Sequence, residues 1–362
     1  MPKATRVVIV GGGVGGITLA KKLNTAGLTV TLITPTEYVE WAPGVLRSLV
    51  KPAEADRPMA PSVTACVKHA TVVRGKATSV SSTEVVVAGP EGHVSCSYDI
   101  LVIATGGRYA HSSTSCFKSP DNAMLFQERV TQVQAKAAEL AAANSVTIVG
   151  GGVAGIELAC EICENFPQKK VTLVSKGEIG GMLHPKVQKQ VVAKLTKTPS
   201  LTLRANTLVS PDAELPADLQ ADQVYWTTGF TPNTEFLQGG PFAAALERGL
   251  VKVDRSTLVV DGTTNVFAIG DIITPGLMEA PFNSGYVTQQ ESLKLAKNVV
   301  AMAEGKPLKP MGKAAMKRGA LISLGSTSGA GHFDNTVLPQ CIVTAMKSKD
   351  LFRKKSVKAF QS

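Results

Sequence analysis

The sequence predicts an α/β fold built on two parallel-sheet domains, and three observations carry that prediction. The same glycine-rich motif occurs twice, VVIVGGGVGG at Val7 to Gly16 and VTIVGGGVAG at Val146 to Gly155, each directly after a short β-branched run. Each copy is followed by an apolar helical pattern and then by a second β-run, TVTLI or VTLVS, at the distance a βαβ unit requires. Apolar strands alternate with helical patterns along most of the chain. Together these describe two Rossmann-like dinucleotide-binding domains, followed by a small α+β carboxyl-terminal domain.

The elements follow in order. Val7 to Val10 leave the carboxyl edge of a parallel sheet, and Gly11 turns the chain into a helix. Gly13 lacks a Cβ, so a pyrophosphate can reach the backbone amides, and Gly16 lets the helix pack closely on the strand. Gly11, Gly12, Gly13, Val14, Gly15 and Gly16 are therefore nucleotide-binding candidates, and Gly150, Gly152 and Gly155 repeat the roles in the second copy. A proline-containing loop, EYVEWAPGVLR, precedes short β-runs near Thr71 to Arg74 and Glu84 to Ala88. The strand in YDILVIATGG ends at Thr105 and Gly106. An alanine-rich helix over Ala123 to Ala143 delivers the chain to the second motif. The second lobe closes in DQVYWTTGFTPN, where Thr228 and Gly229 repeat the earlier Thr-Gly corner. TTNVFAIGD returns to the first lobe, and a helix runs from about Ser284 to Ala303. The expected division is 1–108 with 251–305 for the first domain, 109–250 for the second, and 306–362 for the carboxyl-terminal unit.

Composition narrows the class. With 362 residues, 44% of them hydrophobic, the chain can bury a large core. No stretch reaches the roughly 18 uninterrupted apolar residues of a membrane span. Six scattered cysteines read as reduced thiols, which points to a cytosolic or organellar address rather than secretion. The net charge of +10 is concentrated late, in Lys294, Lys297, Lys306, Lys309, Lys313, Lys317 and Arg318, then Lys347, Lys349, Arg353, Lys354, Lys355 and Lys358. A solvated basic face is one reading. Another notes Leu351, Phe352, Val357 and Phe360 among the last cations, as in a segment lying on an anionic membrane surface. No aromatic platform or module supports nucleic acid as a partner.

Nearly the whole chain resembles the two-dinucleotide-binding-domain flavoproteins, the glutathione-reductase-like superfamily. The resemblance implies FAD on the first Rossmann unit and NADH or NADPH on the second. It implies that Asp271 of VFAIGD hydrogen-bonds the flavin ribityl chain, and that the next helix points its positive end at the flavin ring. Within the superfamily, VVIVGGGVGGI, VLRSLV, GGGVAGIELACEI, VFAIGD and TAMKSKDLF look most like the apoptosis-inducing-factor-like NAD(P)H:quinone oxidoreductases of the ferroptosis-suppressor branch. That resemblance implies FAD contacts from Arg47 and from the backbone of Val73, with Lys51 a weaker candidate. It also implies that Glu157 lies beside the nicotinamide and helps to place it. Some relatives carry a myristoylation signal, which needs glycine after the initiator methionine, where this chain has Pro2.

Departures from the fingerprint are informative. The first βαβ unit ends in ITPTE, with Thr34 where an acidic residue should grip the adenosine ribose and Glu37 slightly beyond. The second ends in VTLVSKGE, putting Ser175 and Lys176 where an acid would select NADH, so NADPH should be accepted. Cys160 and Cys163 form a C-x-x-C, but inside the second fingerprint helix, where core thiols are expected rather than a redox pair. Neither the cysteines nor the five histidines show metal spacing.

The expected activity is hydride transfer from NAD(P)H to FAD and then electron transfer to a quinone at a membrane surface, with the protein binding and orienting the cofactors. A reductase of a small redox protein carries the same fingerprints, and a flavin-bound interaction protein is a third class. The quinone is expected in an apolar channel lined by the Glu279 to Tyr286 segment and the carboxyl-terminal unit. Oligomeric state is not legible.

Overall fold

The structure, a computed structural model, describes residues 4–24, 27–109, 117, 125–210, 213–228, 230–273, 284–311 and 319–362. Uninterrupted β-branched runs form its central strands, because a parallel sheet is covered on both faces. Strand β1 (Thr5–Val10) turns into helix α1 (Val14–Lys22), and β2 (Leu28–Thr34) returns beside β1. Helix α2 (Ala42–Ser48) follows, then β3 (Thr71–Arg74) at the sheet edge and β4 (Ile100–Ile103) on the other side of β1. Ile9 stands opposite Leu32 on one side and Val102 on the other, all fully buried. The run expected at Glu84–Ala88 is the middle of an antiparallel meander formed by Lys76–Val80, Glu84–Gly89 and Gly92–Ser97. Its outer strands carry exposed polar residues, so their sequence lacks an apolar signal.

The second lobe repeats the plan. Helix α3 (Phe126–Ala142) leads into β5 (Ser145–Val149), helix α4 (Val153–Asn165), β6 (Lys170–Val174), helix α5 (Pro185–Thr196), β7 (Leu201–Arg204) and β8 (Gln223–Trp226). The sheet is parallel in the order β7-β6-β5-β8. The two lobes are tied beside the Thr105–Gly106 corner. Gly107–Tyr109 pairs antiparallel with Phe230–Pro232, Thr105 Oγ1 donates to the Asn233 carbonyl at 2.7 Å, and Asn233 Nδ2 donates to the Thr105 carbonyl at 3.0 Å.

The chain then adds β9 (Val266–Ala268) beside β4, completing a five-stranded first sheet. Helix α6 (Gly285–Ala303) begins where the sequence placed it. Its Ser284 cap accepts a hydrogen bond from the Val287 N–H at 3.3 Å. The last segment forms an antiparallel sheet of β10 (Gly319–Ser323), β11 (Gly329–Phe333) and β12 (Thr336–Val337). A helical stretch over 340–348 follows, π-helical over Thr344–Ser348, and the chain ends in helix α7 (Arg353–Gln361).

This last segment is shared between two cores. Ala320, Ile322, Leu324 and Ala330 join the cluster around the second sheet, and Phe360 joins that around the first. Lys21 Nζ caps the end of α7 by donating to the carbonyls of Ala359 and Phe360, and Trp41 Nε1 donates to the Leu351 carbonyl at 2.8 Å. These contacts correct one expectation. Leu351 and Phe360 are buried and Phe352 and Val357 pack on the first core, so the apolar side chains read as membrane-facing turn inward. The exposed residues of this helix and its end are polar: Lys354, Lys355, Lys358, Gln361 and Ser362. Among the described residues no helix is long and apolar enough to cross a membrane.

Candidate active site

The two fingerprints fold into matching cradles. Gly11 and Gly150 take φ of +119° and +126°, a region closed to side chains, at the turn from strand to helix. A Cβ on Gly11 would strike the Ala104 carbonyl, and one on Gly150 the Thr227 hydroxyl. A Cβ on Gly16 or Gly155 would collide with the carbonyl of Gly11 or Gly150, where helix crosses strand. Gly12 fits against Thr34 in the same way, and Gly15 against Thr288. Gly13 differs: no atom lies within 4 Å of where its Cβ would be, and above Gly152 there is only the Met182 methyl at 3.9 Å. Gly13 and Gly152 are also the N-caps of α1 and α4, neither helix end has a side-chain cap, and neither first turn holds an acid. Both ends therefore present free N–H groups and open space to an anion.

Around the first cradle, Thr34 is buried at the end of β2 and Val73 stands opposite Ile33 on β3. Glu37 is engaged elsewhere, accepting from the Phe126 N–H at 2.6 Å and facing Arg74 at 3.7 Å. Gly106 sits at φ +60° with open space over it, next to Thr105 at the crossing of the lobes. Asp271 lies on the short 3-10 turn Gly270–Ile272 after β9, half-buried. Beneath that turn Glu291 of α6 is 1% exposed. Burial pushes its carboxyl up to about 7, the Gly270 N–H and Lys294 oppose the rise, and Asp271 adds to it.

Beyond the second cradle, Ser175 at the end of β6 is buried against Gly151, and Lys176 is exposed. Gly229 and the Glu279–Asn283 part of the expected acceptor channel lie outside the described residues, while Tyr286 is 56% exposed.

Helix α4 carries an acidic stripe at helical spacing. Glu157 is 2% exposed, and its Oε1 accepts from Lys347 Nζ at 2.6 Å and from the Ser323 N–H at 2.9 Å. Lys347 also donates to the Leu321 carbonyl at 2.7 Å, so the pair binds α4 to β10 and the π-helical turn. One turn on, Glu161 receives Arg47 Nε at 3.0 and 3.2 Å and Nη2 at 2.5 Å, and Arg47 Nη1 donates to the Lys349 carbonyl at 2.8 Å. Arg47 is 1% exposed, so a contact with flavin requires this pair to open or to share its remaining N–H bonds. Burial pushes the Glu161 carboxyl up, against the pull of Arg47. Glu164 completes the stripe, accepting from the Ser326 N–H and hydroxyl at 2.6 Å each.

Lys347, read from the sequence only as one of the late basic cluster, Glu161 and Glu291 were not assigned to the site by sequence reasoning. A signal for the first two existed: three glutamates at i, i+4 and i+7 on an otherwise apolar helix need buried cations. Cys160 and Cys163 are buried in α4, and burial pushes both thiols up, as for core residues. Among the described residues no group of metal-ligating side chains is assembled.

Two nucleotide cradles on tandem parallel sheets, joined through Gly107–Tyr109 and Phe230–Pro232, define a flavin- and nicotinamide-dependent oxidoreductase class. The chain belongs to the pyridine nucleotide-disulphide oxidoreductase family, which matches residues 5–303. It is 29% identical to apoptosis-inducing factor homolog B of Dictyostelium discoideum, over 96% of this chain and 94% of that protein. It is 27% identical to ferroptosis suppressor protein 1 of Xenopus laevis, over 98% and 96%. The sulfide:quinone oxidoreductase of Aquifex aeolicus shares the fold, with a TM-score of 0.69 at 18% identity over 99% of this chain and 92% of that one. The protein is an oxidoreductase that uses FAD and NAD(P)H. The residues fit those groups, because Gly13 and Gly152 leave uncapped helix ends with room for a pyrophosphate.

Proposed function

We propose that the protein is an FAD-dependent NAD(P)H:quinone oxidoreductase, with FAD in the Gly11–Gly16 cradle and NAD(P)H in the Gly150–Gly155 cradle. The supporting observation is that both cradles are open while the one C-x-x-C of the sequence, Cys160 and Cys163, is buried in α4. With that pair unavailable as a thiol relay, an acceptor must come to the flavin itself, which suits a small quinone. The near full-length likeness to ferroptosis suppressor protein 1 agrees with this reading.

Bound flavin supplies the hydride acceptor and the route of electrons to quinone. The chain's part is binding and orientation. Free N–H groups at the starts of α1 and α4 hold the phosphates, and Thr34 and the Val73 backbone border the adenosine of FAD. Asp271 and the Thr105–Gly106 corner border the ribityl side. Ser175 and Lys176 border the ribose of NAD(P)H, where Lys176 suits a 2′-phosphate. Glu157 is a positioning residue at the nicotinamide side: through Lys347 it fixes the π-helical turn against α4. The division into 1–108 with 251–305, 109–250 and 306–362 follows the same assignment. Attachment to an anionic membrane would be electrostatic, through Lys354, Lys355 and Lys358, each contributing about 1 kcal/mol.

The test is a pair of variants assayed with NADH, NADPH and a short-chain ubiquinone. Gly152→Ala should keep FAD and raise KM for the nicotinamide. Glu157→Gln should keep FAD and lower kcat about 10- to 100-fold through misplacement. Loss of FAD from both, with coenzyme kinetics unchanged in whatever FAD-loaded fraction remains, would reverse the assignment of the cradles.

A further inference from the structure

The first cradle has a buried acid that nothing so far has used. Glu291 lies on the face of α6 that also carries Thr288 and Ser292, the α6 side chains nearest to Gly15 of the fingerprint; Thr288 also borders Gly270. One Glu291 oxygen takes the Gly270 N–H, and Oε1 has no hydrogen-bond partner among the described residues although the residue is 1% exposed. A buried carboxylate so poorly satisfied is costly, and the neutral acid costs far less.

Among the described residues the charged surroundings are few. Asp271, on the turn that Glu291 supports, disfavours a second negative charge, and Lys294, one turn further along α6, favours it to a smaller extent; its Nζ donates to the Met311 carbonyl. Helix α1 has no charged residue before Lys21 and Lys22 at its far end. A bound dinucleotide brings two phosphate charges to the same loop. Like charges nearby raise a carboxyl's hold on its proton, and by linkage a group that binds protons more tightly in the complex makes the complex tighter at low pH.

We propose that Glu291 is a positioning residue for the flavin dinucleotide: it supports the Gly270–Asp271 turn through the Gly270 N–H, and it takes up a proton as FAD binds, so that FAD affinity rises as the pH falls. The proposal rests on the assignment of FAD to the first cradle. It makes Glu291 a determinant of flavin retention through Asp271, without contact with the reacting ring.

The experiment uses the full-length protein stripped of flavin and titrated with FAD by fluorescence quenching. One coupled proton sets the bound: Kd should rise with pH by up to about tenfold per unit between about pH 6.5 and 8.5 in the wild type, and stay flat in Glu291→Gln. Free FAD has no group titrating in that range, and the glutamine keeps shape and polarity. Calorimetry of the wild type near pH 7, in two buffers of different ionisation enthalpy, should show net proton uptake on binding, a readout that does not depend on the variant. A pH-independent wild-type Kd without proton uptake overturns the proposal while leaving the FAD assignment intact, and so does an equal pH dependence in wild type and Glu291→Gln. Absence of FAD binding at every pH removes the underlying assignment and the proposal with it.

Discussion

The Arg47–Glu161 pair joins α2 of the first lobe to α4 of the second, with side-chain exposures of 2% and 0%. Its geometry is bidentate, with Nε and Nη2 both on the carboxylate. Removing one partner strands a charge where water cannot reach it, a loss of about 3–5 kcal/mol, whether the variant is Arg47→Met or Glu161→Leu. Replacing both by apolar residues of similar volume removes the stranded charge. What is then lost is the hydrogen bond to the Lys349 carbonyl, about 1 kcal/mol. The double variant should therefore be much more stable than the sum of the singles, with a coupling of about 4 kcal/mol or more. Urea unfolding followed by tryptophan fluorescence reads this well, because Trp41 reports on the first lobe and Trp226 on the second, both largely buried. Additivity of the two substitutions within about 0.5 kcal/mol would refute the reasoning.

Other outcomes follow from the same structure. Gly13→Ala should leave the fold intact, since nothing lies within 4 Å of the new methyl, yet weaken FAD binding; Gly16→Ala should destabilise the fold itself, because its methyl meets the Gly11 carbonyl. Thermal unfolding and FAD titration separate the two. Glu291 has a carboxyl raised on folding, to about 7, so its favourable contribution is complete below the ordinary glutamate range and is lost as the pH rises through about 7. Glu291→Gln should therefore gain stability relative to wild type between about pH 5 and 8, by at most about 3 kcal/mol, and a constant difference across that range would contradict it. Lys176→Ala should lower kcat/KM for NADPH more than for NADH, by roughly tenfold, and equal losses would remove Lys176 from the coenzyme site.

Much of the architecture was legible because its signals are local. The Gly11 and Gly150 turns, the β-branched runs before them and the Ser284 cap each state their geometry within a few residues. The meander strands Lys76–Val80 and Gly92–Ser97 were not, since they are half-exposed and polar and take their pairing from a neighbour. The apolar residues of α7 gave a true amphipathic signal, but sequence does not say whether such a face meets lipid or the protein's own core; Trp41 and Lys21, over three hundred residues away, decide it. Arg47 and Glu157 were picked out by resemblance, whereas their partners Glu161 and Lys347 come from distant segments and only folding brings them together. Glu291 had no sequence signal, because a glutamate on a helix is ordinarily a surface residue.

The most direct test of the central claim is steady-state oxidation of NADH and NADPH by the FAD-loaded protein, with a short-chain ubiquinone against an oxygen-only control. Turnover with ubiquinone well above the control, with NADPH used at least as well as NADH, is the predicted result. Coenzyme oxidation that ubiquinone does not accelerate would contradict a quinone acceptor and point to a redox protein in its place.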